Sequence, residues 1–118
     1  MSYDIRLVDD KGETIYLPES HALRGGTYAL GGTTEAWLNV TYNYSQFFHA
    51  ALDAEKGIRW LYGRRARDCV AALEKAIAVL GTTTDDDYWR ATPGNAGAAL
   101  NNLLTLARLC PDGIFQGD

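Results

Sequence analysis

The chain has 118 residues and a mass of 13.0 kDa, which predicts one domain spanning 1–118. Eleven basic against fifteen acidic residues give a net charge of −4, which excludes a protein that holds nucleic acid by bulk electrostatics. With 47% apolar and 22% charged residues the composition is that of a folded chain and excludes disorder.

The first stretch alternates. Tyr3, Ile5 and Leu7 point one way and Asp4 and Arg6 the other, the pattern of a half-buried strand. Asp9-Asp10-Lys11-Gly12 forms a polar turn with a glycine free to take positive φ. Thr14 to Leu17 resumes with Ile15 and Leu17 on one side, and Pro18 ends it, so residues 3–18 read as a β-hairpin. Residues 19–35 read as a long loop in which Gly-Gly-Thr occurs twice, at 25–27 and 31–33. Ala36 to Tyr44 reads as a third strand, rich in β-branched and aromatic residues. Its core face would carry Leu38, Val40 and Tyr42, and its other face Trp37, Asn39, Thr41 and Asn43.

Three helices follow. Tyr44, Phe47, Phe48, Ala51 and Leu52 mark the first, with Ser45 as its cap and an end near Lys56-Gly57. Ala66, Cys69, Val70, Leu73, Ile77 and Leu80 mark the second, stopped by Gly81. Thr92-Pro93 opens the third, whose stripe is Leu100, Leu103, Leu104 and Ala107, and Cys110-Pro111-Asp112-Gly113 closes it. Gly97, Ala98 and Ala99 would let this helix pack closely on a neighbour. Thr84-Asp85-Asp86-Asp87 has the form of a capping box for one short helical turn. The expected class is therefore α+β, a small antiparallel sheet (the N-terminal hairpin plus a third strand) packed on three main helices. The sheet portion spans about 3–44 and the helical portion about 45–110.

Two cysteines, Cys69 and Cys110, are too few for a disulfide scaffold, and no metal spacing surrounds them, so buried free thiols are expected. Three adjacent carboxylates at 85–87 point about 100° apart on a helix and do not converge on one ion, so no metal is expected. The opening MSYDIRLVDD has acidic residues and no long apolar run, so neither a secretory leader nor a membrane span is expected. A cytoplasmic location follows, and the sequons at Asn39 and Asn43 then count as chance matches.

Two surfaces stand out. Residues 59–80 carry five basic and two acidic groups inside an acidic protein. Arg59, Arg64, Arg65 and Arg67 flank Trp60, and with Arg24 could hold a phosphate while an indole stacks a base. The same arginines also fit a solvated helix entry that pairs with Asp85 to Asp87. The second surface is polar and aromatic: Trp37, Asn39, Thr41 and Asn43 on the third strand, with Arg24 and Tyr28 in the loop beside it. Ten of the thirteen aromatics are Tyr or Trp, which suits a contact surface. Catalysis has little to stand on. His21 and His49 are the only histidines, and only a meeting of His49 with Cys69 across a helix interface would make a hydrolase pair.

The string GGTTEAWLNVTYNY (31–44), with Gly57-Ile58-Arg59, Asp86-Asp87-Tyr88-Trp89, Thr92-Pro93-Gly94-Asn95-Ala96 and the closing PDGIFQGD, resembles a family of small phage and prophage proteins. The likeness runs from about Leu23 to the C-terminus. It implies action inside a bacterial host and assigns no catalytic residues. By analogy with accessory phage proteins of this size, the resemblance implies either binding and inhibition of a host defence protein or sequestration of a nucleotide signal. The leading expectation is thus a non-enzymatic accessory protein, without cofactor, that binds a host protein through Arg24, Tyr28, Trp37, Asn39, Thr41 and Asn43. The alternative is a sponge for an anionic nucleotide, using Arg24 and the 59–67 arginines, with a site formed between copies of a homo-oligomer.

Overall fold

The computed structural model describes residues 1–27 and 31–118. Tyr28 lies outside them. Among the described residues five strands and three helices follow one another: β1 (Ser2–Val8), β2 (Tyr16–His21), β3 (Thr33–Glu35), β4 (Trp37–Thr41), α1 (Ser45–Ala51), α2 (Ala66–Leu80), α3 (Pro93–Leu109) and β5 (Ile114–Gln116). Short 3₁₀ turns occupy Tyr42–Tyr44 and Gly57–Leu61. The α+β class is as expected, with helices laid on a small antiparallel sheet.

The alternation in β1 sets the inner face. Tyr3 sits opposite Val40, Ile5 opposite Leu38, and Leu7 opposite Phe115. All six are buried, and they join Phe48 of α1, Leu73 of α2 and Leu100, Leu103 and Leu106 of α3 in one core cluster. Asp4 and Arg6 of β1, Trp37 and Asn39 of β4 and Gln116 of β5 fall in the opposite register.

Strand pairing departs from a simple hairpin. The 9–12 turn forms as expected, with Gly12 at φ +82° and the Asp9 carboxylate accepting from the N–H groups of Lys11 and Glu13. Beyond Ile15, whose N–H reaches Leu7, the chain leaves β1. β1 pairs instead with β4 on one edge and β5 on the other, and β2 pairs with β3 in a separate two-stranded sheet. The reason is burial: β4 brings Leu38 and Val40 fully inside, whereas Ile15 and Leu17 are only half-buried. Pro18 does not end the second arm. It lies within β2, which among the described residues pairs with β3 on one edge alone and so tolerates a residue that cannot donate a ladder bond.

β4 is shorter than the expected strand. It stops at Thr41, whose hydroxyl accepts from the Asn43 N–H and caps the 3₁₀ turn. Thr41 is buried next to Val40, and Tyr42, in the turn rather than the strand, is half-buried and packs against the core with its ring 4.6 Å from that of Tyr3. α1 runs on from that turn without a side-chain cap, so Ser45 is its first residue and not its cap, and it ends at Ala51. α2 ends against Gly81 at φ +77°, and Thr92 caps α3 by accepting from the Asn95 N–H, with Pro93 following. The 84–87 stretch leads into a single hydrogen-bonded turn that closes at Arg90, whose N–H reaches the Asp87 carbonyl, and not into a helix; its aspartates accept from successive backbone N–H groups, Asp85 from that of Asp87 and Asp87 from that of Trp89. β5 was not expected. It is held on β1 and also by the 63–66 segment, where Phe115 exchanges main-chain bonds with Gly63 and Arg64.

Candidate functional site

The polar-aromatic strip divides among three environments. Trp37 lies opposite Arg6 on the outer face of the sheet, and its indole N–H donates to the Asp4 carboxylate. Asn39 lies beside it, opposite Asp4, with its main-chain carbonyl accepting from the Thr27 hydroxyl at 3.2 Å. Thr41 belongs to the interior and serves as a cap, so it is not part of an exposed strip. Asn43 turns away from the sheet and donates to the Trp89 carbonyl at 2.9 Å. Arg24 meets the same connection from the other side. Its guanidinium stands 4.7 Å from the Tyr88 ring centroid, and its carbonyl accepts from Asn102. Arg24 and Asn43 thus gather at Tyr88-Trp89, beside a cavity of about 250 Å³ lined by Arg24, Tyr44, Asp85, Tyr88 and Asn102.

The arginines are engaged one by one. Arg59 donates from Nε to the Asp118 carbonyl at 3.0 Å and lies 5.0 Å from the Tyr3 ring centroid. Arg64 stacks 3.9 Å from the centre of the Trp60 ring and donates back to the Trp60 carbonyl. Arg65 bridges Asp10 at 3.3 Å and donates to the Asp112 carbonyl, while Arg67 pairs with the Asp112 carboxylate. Pairing with the 85–87 run is corrected by these contacts: Asp85 is met by Arg90 at 3.6 Å, and the cluster uses Asp10 and Asp112. Arg24, at Tyr88, shares none of these partners.

Both histidines are tied to backbone. His21 accepts from the Leu23 N–H on Nδ1, which leaves a proton on Nε2 for the Glu35 carbonyl at 2.7 Å. His49 meets the Ala54 carbonyl through Nδ1. Among the described residues no hydrogen bond joins Cys69 to either ring. Burial pushes the Cys69 thiol up to about 11 and the Cys110 thiol upward too, so both stay protonated and poorly nucleophilic. Among the described residues no group of three His, Cys, Asp or Glu side chains is placed to hold a metal ion. No helix among them is long and apolar enough to cross a membrane.

One exposed apolar feature has no counterpart among the surfaces the sequence suggests. Tyr16 of β2 and Leu109 at the end of α3 are 66% and 61% exposed and border one groove of about 420 Å³. A second hollow of about 280 Å³ continues it, sharing Leu17, Pro18 and Leu109. The signal was phase. Tyr16 falls between the inward-facing Ile15 and Leu17, and Leu109 falls outside the stripe Leu100, Leu103, Leu104 and Ala107. An apolar residue out of phase with its own element is one the core does not claim. No family model, no curated protein and no solved structure matches the chain.

Proposed function

We propose that the protein works by binding another protein, as a non-enzymatic accessory factor in a bacterial cell, and that its phage-like sequence points to a host protein, such as a defence component, as the target. One observation carries this reading: Tyr16 and Leu109 stand exposed on a shared groove rather than scattered singly. Tyrosine is among the side chains that supply most of the energy in protein interfaces, and an apolar neighbour such as Leu109 helps to exclude water around it. The outer sheet face with Trp37 and Asn39 supports it as a second contact surface, its indole held in place by Asp4.

The nucleotide-sponge alternative draws less support within one chain. The arginines sit with Tyr88, Asp118, Trp60 and Asp112, so a phosphate would meet them singly or as the Arg65–Arg67 pair. The test is affinity capture from bacterial lysate with the tagged protein, its Tyr16→Ser/Leu109→Ser form and its Trp37→Ala form. The expected result is a stoichiometric partner that the double variant loses while its thermal unfolding stays unchanged. A partner held equally by all three, or a released nucleotide in place of a protein, overturns the reading.

A further inference from the structure

We infer that the groove between β2 and the C-terminal end of α3 is a docking surface for a basic amphipathic segment of the partner protein. This rests on the protein-binding reading and specifies the chemistry of what is bound.

The floor is apolar. Leu17, Pro18 and Leu109 line both hollows, with Tyr16 as one wall. The rim is acidic: among the described residues, Asp9, Asp10, Asp112 and Glu19 are the charged side chains along the two hollows, and no Lys or Arg lines either. Arg65 and Arg67 reach Asp10 and Asp112 but lie outside the lining. The carboxylates of these pairs are 81% and 82% exposed, and such pairs are weak enough in water for an incoming cation to share them. Asp9 and Glu19 take part in no ion pair among the described residues. The groove also receives the negative end of α3, whose last-turn Arg108 is engaged with Glu74. Apolar floor and anionic rim together select a segment whose Leu or Phe side chains enter the groove and whose Lys or Arg flanks meet the rim.

The probe is a short helical Leu/Lys peptide, compared with its Leu/Glu counterpart, titrated against the full chain and followed by backbone amide shifts. The Leu/Lys peptide should bind, with the largest shifts at Tyr16, Leu17 and Leu109, and weaken as salt rises. Leu109→Ser should weaken it about tenfold or more. Asp9→Asn with Glu19→Gln, which keeps the turn acceptor on residue 9, should weaken it about three- to tenfold. Equal binding of both peptides, no binding, shifts centred elsewhere, or indifference to Leu109→Ser overturns the proposal. So does a dimer in light scattering that Leu109→Ser dissolves, since the occupant is then a second copy. The two readings fail separately. A lysate partner lost in Leu109→Ser but unaffected by salt and by the charge variant leaves protein binding standing and removes the basic segment.

Discussion

The hydroxyl of Tyr44 donates to the main-chain carbonyl of Tyr88 and so fastens the end of β4 to the connection between α2 and α3. Gly26 lies against the same ring: a Cβ built there would fall 2.2 Å from the Tyr44 oxygen, and φ is +83°. Burial raises the pKa of this hydroxyl, and Asp87 adds to the effect while Arg24 opposes it. The bond is therefore made by a neutral donor. Tyr44→Phe should cost about 1–2 kcal/mol, the loss of one buried hydrogen bond with little change of shape. Gly26→Ala should cost more, because it adds left-handed strain to a clash with a buried ring. Urea unfolding of both variants checks the order, and a Gly26→Ala protein as stable as the parent would contradict this geometry.

Asn95 organises that connection. Its side-chain oxygen accepts from the Asp85 N–H, and its amide donates to the carbonyls of Asp87 and Arg90. It is buried at the first turn of α3, where its own N–H is capped by Thr92. Asn95→Ala removes three bonds to backbone, at about 1 kcal/mol each, so a loss of about 2–3 kcal/mol is expected. Hydrogen exchange should speed up at Asp85 first. Thr92→Ala removes only the cap and should cost about 1 kcal/mol.

Gly97 sets two effects against each other. In a helix interior, Gly→Ala gains about 1 kcal/mol from propensity. Here a Cβ would lie 1.7 Å from the Gly81 carbonyl oxygen, which belongs to backbone and cannot rotate away. Overpacking costs about 1–3 kcal/mol and more when main chain must shift, so the contact outweighs the propensity gain and Gly97→Ala should lower the melting temperature. A raised melting temperature would mean that α3 does not approach the end of α2 this closely.

The sequence made α2 and α3 legible with their ends, α1 in its apolar stripe but not in its cap or its end at Ala51, and the strand partners largely not. α2 and α3 each carry a 3.6-residue stripe bounded by local signals, Thr92-Pro93 before α3 and Gly81 after α2, and both ends lie where those signals put them. The role of Gly97 was legible for the same reason, since a run of small residues marks close packing. Strand pairing is non-local. The 9–12 turn is a true hairpin signal, yet the edge of β1 goes to β4 because Leu38 and Val40 offer more burial than Ile15 and Leu17. β5 is three residues long and too short to show a period. In the strip, alternation placed Trp37 and Asn39 correctly on the outer face, but did not show that Thr41, in the same register, is buried and caps the turn that follows. The arginines showed their charge in the sequence but not their partners, since Asp10 and Asp112 are distant along the chain from Arg65 and Arg67.

Cys69 gives the fold a pH dependence whose direction follows from burial. The thiol is fully buried on the inner face of α2, and desolvation carries its pKa from an ordinary 9.0 to about 11, with Arg64 opposing and Asp68 adding to the rise. Between those two values the unfolded chain releases this proton and the folded chain keeps it. The unfolded state then binds fewer protons, so stability falls as pH rises through the window and is unaffected by this group below it. The loss from Cys69 alone should be about 1 kcal/mol over the first unit of the window. Cys69→Ala should unfold more easily near neutrality, yet its stability should fall less steeply from pH about 9 to 10 than that of the parent. The same burial predicts that a thiol reagent near pH about 8 labels Cys69 only through opening of the fold, at a rate that urea accelerates. Immediate labelling of Cys69 in the native protein, or parallel pH profiles for parent and variant, would show that the thiol is in contact with water and that α2 does not seat on the sheet as described.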